Sequence, residues 1–136
     1  MACCNSSIYL VNTNYAAPAN GEIPLGSMVR RTGRAFQLNG NSVTCYGVGE
    51  FDVTCSVTLT PVGAGDIGVQ FLANGSPIPG ATATVTGTAG STVTLPVIGT
   101  VRSCGCGAIT IGARLVSGDV TTGATIDNIA TRIEID

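Results

Sequence analysis

The stretch Glu50–Thr60, EFDVTCSVTLT, alternates without interruption: Phe51, Val53, Cys55, Val57 and Leu59 are apolar, while Asp52, Thr54, Ser56, Thr58 and Thr60 carry a carboxylate or hydroxyls. A period of two puts successive side chains on opposite faces of an extended strand, so one face is dry and the other wet. That dry face is larger than a lone hairpin can bury, and a second layer has to cover it. The rest of the chain is expected to supply the remainder of a β-sandwich.

Length and residue types agree with that expectation. At 136 residues the chain is long enough for one domain with a real core. Its 19 glycines and abundant Thr and Val favour strands and turns over helices. No apolar run reaches the roughly 18–20 residues of a membrane helix, so no membrane insertion is expected. The opening Met1-Ala-Cys-Cys-Asn-Ser-Ser has neither a basic nor an apolar region of the kind a secretory signal needs. An extracellular location would then require lysis, virion assembly or release from a mother cell.

Charge narrows the function classes. There is no His, Lys or Trp; all six cations are arginines, at 30, 31, 34, 102, 114 and 132, and eight acids leave a net charge of −2. A nucleic-acid surface needs a cationic face, and the single Arg30-Arg31-x-x-Arg34 cluster does not make one, so no nucleic-acid partner is expected. Without His or Lys there is no base poised near neutral pH and no Ser-Lys arrangement, which argues against an enzyme. Glu50 and Asp52 sit at i and i+2 on one strand face, where solvated charges are the ordinary reading. No cofactor is expected.

Along the chain, residues 1–20 are polar except for Ile8-Tyr9-Leu10-Val11, and read as an N-terminal arm or edge strand whose apolar patch contacts a neighbouring subunit. The domain proper is expected over 21–136. A short strand is predicted at 27–30 and another over Ala35–Leu38, closed by the Asn39-Gly40-Asn41 turn and followed by Ser42–Tyr46. A hairpin centred near Val48 would join that strand to Glu50–Thr60. Further strands are predicted at Ile67–Ala73, after which Asn74-Gly75 turns the chain, and at Ala81–Thr86, Thr92–Val97, Ala108–Ser117 and from Ile129 onward. Val101–Gly107 reads as irregular, and Pro96 marks an edge or a strand end. The total is about nine or ten strands, as in a jelly-roll sandwich.

The segments GVGEFDVTCSVTLT (47–60), VQFLANGSPIPG (69–80), TAGSTVTLPV (88–97) and NIATRIEI (128–135) resemble the jelly-roll domains of the tumour-necrosis-factor-like group, above all its bacterial and phage members and the terminal domains of collagen-like spore-surface proteins. The resemblance covers residues from about 35 to 136. It implies an all-β fold, trimers whose flat inner sheets pack around a three-fold axis, and a surface, adhesive or structural role. The N-terminal Cys3-Cys4 ahead of a jelly roll also resembles endospore appendage subunits, in which an N-terminal connector is disulfide-linked to neighbours.

The six cysteines are Cys3, Cys4, Cys45, Cys55, Cys104 and Cys106. No pair has C-x-x-C spacing and no His can complete a mixed site, so neither a redox pair nor a zinc site is expected. Cys55 is in phase with Val53 and Val57 and reads as a buried thiol, and Cys45 and Cys55 are too far offset in a hairpin to bridge. Cys3, Cys4, Cys104 and Cys106 are the candidates for intersubunit disulfides formed after release into an oxidising medium. Arg30, Arg31 and Arg34 are candidates for subunit contact or edge protection. The expected partner is therefore another copy of the chain, in a non-catalytic building block of an extracellular filament, spore-surface layer or virion. The competing reading is a trimeric phage head-fibre or surface module that binds a receptor or glycan, for which a concave site bearing aromatic side chains would be needed.

Overall fold

In a computed structural model, residues 6–18, 21–33, 35–63, 65–104, 107–117 and 123–135 are described. They form strands β1 (Ser6–Ala17), β2 (Glu22–Ile23), β3 (Ser27–Thr32), β4 (Phe36–Asn39), β5 (Ser42–Cys45), β6 (Val48–Pro61), β7 (Gly65–Ala73), β8 (Ser76–Gly87), β9 (Val93–Cys104), β10 (Ile109–Ser117) and β11 (Ala124–Ile135). A five-stranded sheet runs β3-β1-β11-β6-β9, and a six-stranded sheet runs β4-β5-β10-β7-β8 with β2 paired to β10. Every pairing among the described residues is antiparallel. The result is the expected all-β jelly-roll sandwich, with eleven strands where nine or ten were predicted.

The alternation of Glu50–Thr60 is realised as read. Phe51, Val53, Cys55, Val57 and Leu59 are buried between the sheets, and their polar neighbours face outward. Val69 and Phe71 from β7, Ile111 and Leu115 from β10, and Ile126, Ile129 and Ile133 from β11 complete the apolar layer. The Phe36 and Phe51 rings meet edge to face across the sandwich, with centroids 5.8 Å apart. Both predicted turns form, the first around Gly40-Asn41, since Asn39 ends β4 opposite Ser42, and the second around Asn74-Gly75, with Ala73 opposite Ser76. In the second, Asn74 (φ 51) and Gly75 (φ 83) both take positive φ, the combination that a two-residue turn matched to strand twist requires.

Three expectations are corrected. Ser6–Ala17 is not an arm or an edge but an internal strand, paired with β11 along its length and with β3 on its other side. A boundary near residue 20 therefore does not separate a connector from the sandwich. The hairpin about Val48 does not form: β5 pairs with β4 and β10 in one sheet, while β6 pairs with β11 and β9 in the other. Cys45 consequently faces Phe36 and Ile109, not Phe51. Lastly, the irregular reading of 101–107 fails over its first part, because β9 continues to Cys104, which pairs with Val48.

The edges of the two sheets are tied to each other. On one side the Arg31 guanidinium donates to the Phe36 carbonyl at 3.4 Å, joining β3 to β4. Opposite, β9 passes so close to β8 that a Cβ at Gly99 would lie 2.7 Å from that of Ala81. Only glycine permits that approach. Pro96 lies on β9, an edge strand as predicted, where the ladder needs no donor on the open side.

Candidate functional site

The outer face of the five-stranded sheet is built by cross-strand rows. One row runs Arg30–Tyr9–Arg132–Thr54–Ile98 across β3, β1, β11, β6 and β9, and the next runs Ser27–Val11–Ala130–Ser56–Pro96. Small side chains at Thr54, Ser56 and Ala130 leave the middle of the face low, between Tyr9 on one flank and Pro96 on the other. The depression is an open groove of about 510 Å³ lined by Tyr9, Thr54, Cys55, Ser56, Pro96, Ala130, Arg132 and Glu134. Ile98 stands beside it at 67% exposure, out of phase with the buried Leu95 and Val97 of its own strand. Towards the Thr60 end of the face, the hydroxyl pairs Thr58–Thr94 and Thr60–Thr92, both at 3.1 Å, keep the wet face hydrogen-bonded to itself.

The outer face of the six-stranded sheet is different in character. Arg114 donates to Gln70 at 2.6 Å, Gln70 donates to Thr82 at 3.2 Å, and Asn41 donates to Glu22 at 3.0 Å. Its polar groups are largely engaged with one another. Phe36, Phe51 and Phe71 are buried in the core, so they cannot furnish an aromatic binding surface. Among the described residues no group of acids and cysteines is arranged to hold a metal ion, and no helix is long and apolar enough to cross a membrane.

The residues singled out from sequence fall into distinct places. Ile8 and Leu10 are fully buried in the protomer's own core, which corrects their assignment as contacts to a neighbour. Tyr9 and Val11 alternate with them and point outward onto the face just described. Arg30 is exposed beside Tyr9, whereas Arg31 ties the edge of its own sandwich; Arg34 lies outside the described residues. Cys3, Cys4 and Cys106 also lie outside them, and Cys104 is placed by its backbone at the end of β9. What the sequence reading missed is the groove itself. Its signals were the small outward residues of β6 and the out-of-phase apolar Ile98.

Cys45 and Cys55 are free and buried. Burial pushes both thiols from 9.0 up to about 12, and at Cys55 a hydrogen bond from the Thr131 hydroxyl at 3.5 Å acts in the opposite, lowering direction. Such thiols are poor nucleophiles. Neither is expected to react with iodoacetamide in the native protein at neutral pH, and both should react once it is unfolded. Because the folded state holds these protons more tightly, their contribution is complete below about pH 9 and is lost as pH rises towards about 12. The urea midpoint should fall across that window, and less steeply in a Cys45→Ala, Cys55→Ala variant.

No protein-family model and no curated protein sequence matches the chain. Solved structures do. Murine APRIL at pH 5.0 superposes with a TM-score of 0.72 at 11% identity, covering 96% of this chain and 99% of that one. The globular domain of zebrafish complement 1qA gives 0.64 at 9% identity over 96% and 94% of the two chains. The PRD1 vertex protein P5 gives 0.63 at 12% identity, covering 96% of this chain and 72% of that one. With the sheet order above, these superpositions give this chain the jelly-roll fold of the tumour-necrosis-factor-like structures.

Proposed function

We propose that this chain is a non-catalytic structural subunit that assembles with copies of itself through the outer face of the five-stranded sheet, as a trimeric building block of a filament, spore-surface layer or virion. The groove floored by Thr54, Ser56 and Ala130 carries the reading, because low, uncharged centres are where a partner's backbone and side chains can pack closely. The tumour-necrosis-factor-like resemblance, which implies trimers whose flat inner sheets pack around a three-fold axis, supports assembly through a sheet face. A vertex protein among the similar structures supports a role in assembly. The glycan-binding alternative is less well supported, since among the described residues Tyr9 is the only aromatic side chain that lines the groove.

Disulfides between protomers are part of this reading. Ser6, the first described residue of β1, lies in the row Ser6–Ile135–Phe51–Val101, and Cys104 ends the same sheet a few residues beyond Val101. Ser6 and Cys104 thus lie towards the same end of the sheet. Each bridge would release two protons and two electrons to an external oxidant such as dioxygen.

Light scattering on the reduced protein tests the assembly, with an expected mass about three times the 13.6 kDa of one chain. Ala130→Arg, which fills the groove floor with a charged side chain, should yield folded monomer. A monomeric wild-type protein across the accessible concentration range would refute the proposal. Electrophoresis of oxidised assemblies without reductant tests the bridges separately, and a single monomer band would remove them.

A further inference from the structure

We propose that Arg30, Tyr9 and Arg132 form a binding site for a single carboxylate on the outer face of the five-stranded sheet. The three are cross-strand neighbours on β3, β1 and β11, with Tyr9 opposite both arginines. Side chains in such a row stand about 4.8 Å apart, close enough for two guanidinium groups to reach one ligand over the ring between them. A register shift between Tyr9 and Leu10 adds an extra residue, Val29, to β3, and so brings Arg30 into this row. Bulges of this kind commonly re-aim a side chain.

The hollow they border has a volume of about 290 Å³ and is lined by Ser7, Tyr9, Arg30, Thr32 and Arg132. Every lining side chain offers hydrogen-bond donors, and among the described residues no acid lines it. The guanidinium carbon of Arg132 lies 5.6 Å from the Tyr9 ring centroid, an arrangement that fixes the group while its in-plane N–H donors stay free. Its contact with Glu134 is long, at 3.9 Å, and both side chains are more than half exposed, so that pair holds Arg132 only weakly. Arg30 has no ion-pair partner among the described residues.

Size and charge select the ligand. A hollow at the small end of ligand pockets suits the tip of an acidic side chain or a small acid, not a large molecule. Arg forks match carboxylate geometry bidentately. The next row places Glu134 and Asp52 alongside, and their charges oppose a doubly charged phosphate more than a singly charged carboxylate. The carboxylate can come from a second copy of this chain or from a free small acid. The first source rests on the assembly reading above; the second does not.

The test titrates sodium propionate, a mimic of an acidic side chain, into the full chain while the arginine Nε–Hε resonances are followed by NMR at constant ionic strength. A free-acid site predicts saturable shifts at Arg30 and Arg132, with a Kd on the order of millimolar, lost in Arg30→Gln and weakened in Arg30→Lys. A site for a partner's acid predicts that Arg30→Gln and Arg132→Gln each weaken self-association by about tenfold, roughly 1.4 kcal/mol, and reduce its salt dependence, whether or not propionate binds. Absence of both effects, in variants whose circular dichroism matches wild type, overturns the proposal. Should wild type prove monomeric, the assembly reading fails while the titration still decides the carboxylate site.

Discussion

Deleting residues 1–17 is expected to abolish cooperative folding. The deletion removes β1 from the interior of its sheet and withdraws Ile8, Leu10 and Ala17 from the core. Truncating a single buried Ile or Leu to Ala costs about 2–5 kcal/mol, and here two are lost together with a full ladder of backbone hydrogen bonds. The sum is comparable to the entire stability of a typical domain, about 5–15 kcal/mol. It would also leave β11 as a long open edge, which invites aggregation. Deleting residues 1–5 stops short of the first described strand and should leave the denaturation midpoint little changed, while removing Cys3 and Cys4 from any bridge. Urea titrations of the two truncations make the comparison. A cooperative transition in the longer deletion would restore the view of this segment as a detachable arm.

Phe51→Ala should cost about 3–5 kcal/mol. The ring is fully buried and meets Phe36 edge to face, so its loss opens a cavity at a contact between the two sheets. Neighbouring β-strand packing is too close to collapse into that space without moving a backbone. Thr54→Ala on the same strand points outward and, compared with Phe51→Ala in the monomeric Ala130→Arg background, should change stability by less than about 0.5 kcal/mol. The contrast in denaturant midpoints measures how strictly the alternation assigns faces. Equal effects from the two substitutions would mean that the strand does not separate a core face from an outer face.

The site was less visible in the sequence than the fold. Arg30 and Arg31 are adjacent in sequence, and nothing in their spacing separates a residue beside Tyr9 from one that ties β3 to Phe36. That division depends on a bulge and on which strand lies alongside. Thr131 shows the same limit within the core: it alternates with Ile129 and Ile133, and its fully buried hydroxyl finds a partner only because Cys55 lies opposite on β6.

By itself the sequence determined that Glu50–Thr60 is a strand and which of its faces is dry, because side-chain alternation is a property of consecutive residues. The turns at Gly40-Asn41 and Asn74-Gly75 were likewise settled by local backbone freedom, Gly40, Asn74 and Gly75 taking positive φ. Only the tertiary structure decided that β1 lies between β3 and β11, and that β5 and β6, adjacent in the chain, belong to different sheets. Strand pairing joins residues far apart in sequence through backbone groups that every residue carries. Which partner wins is therefore set by how all the apolar faces can be buried at once.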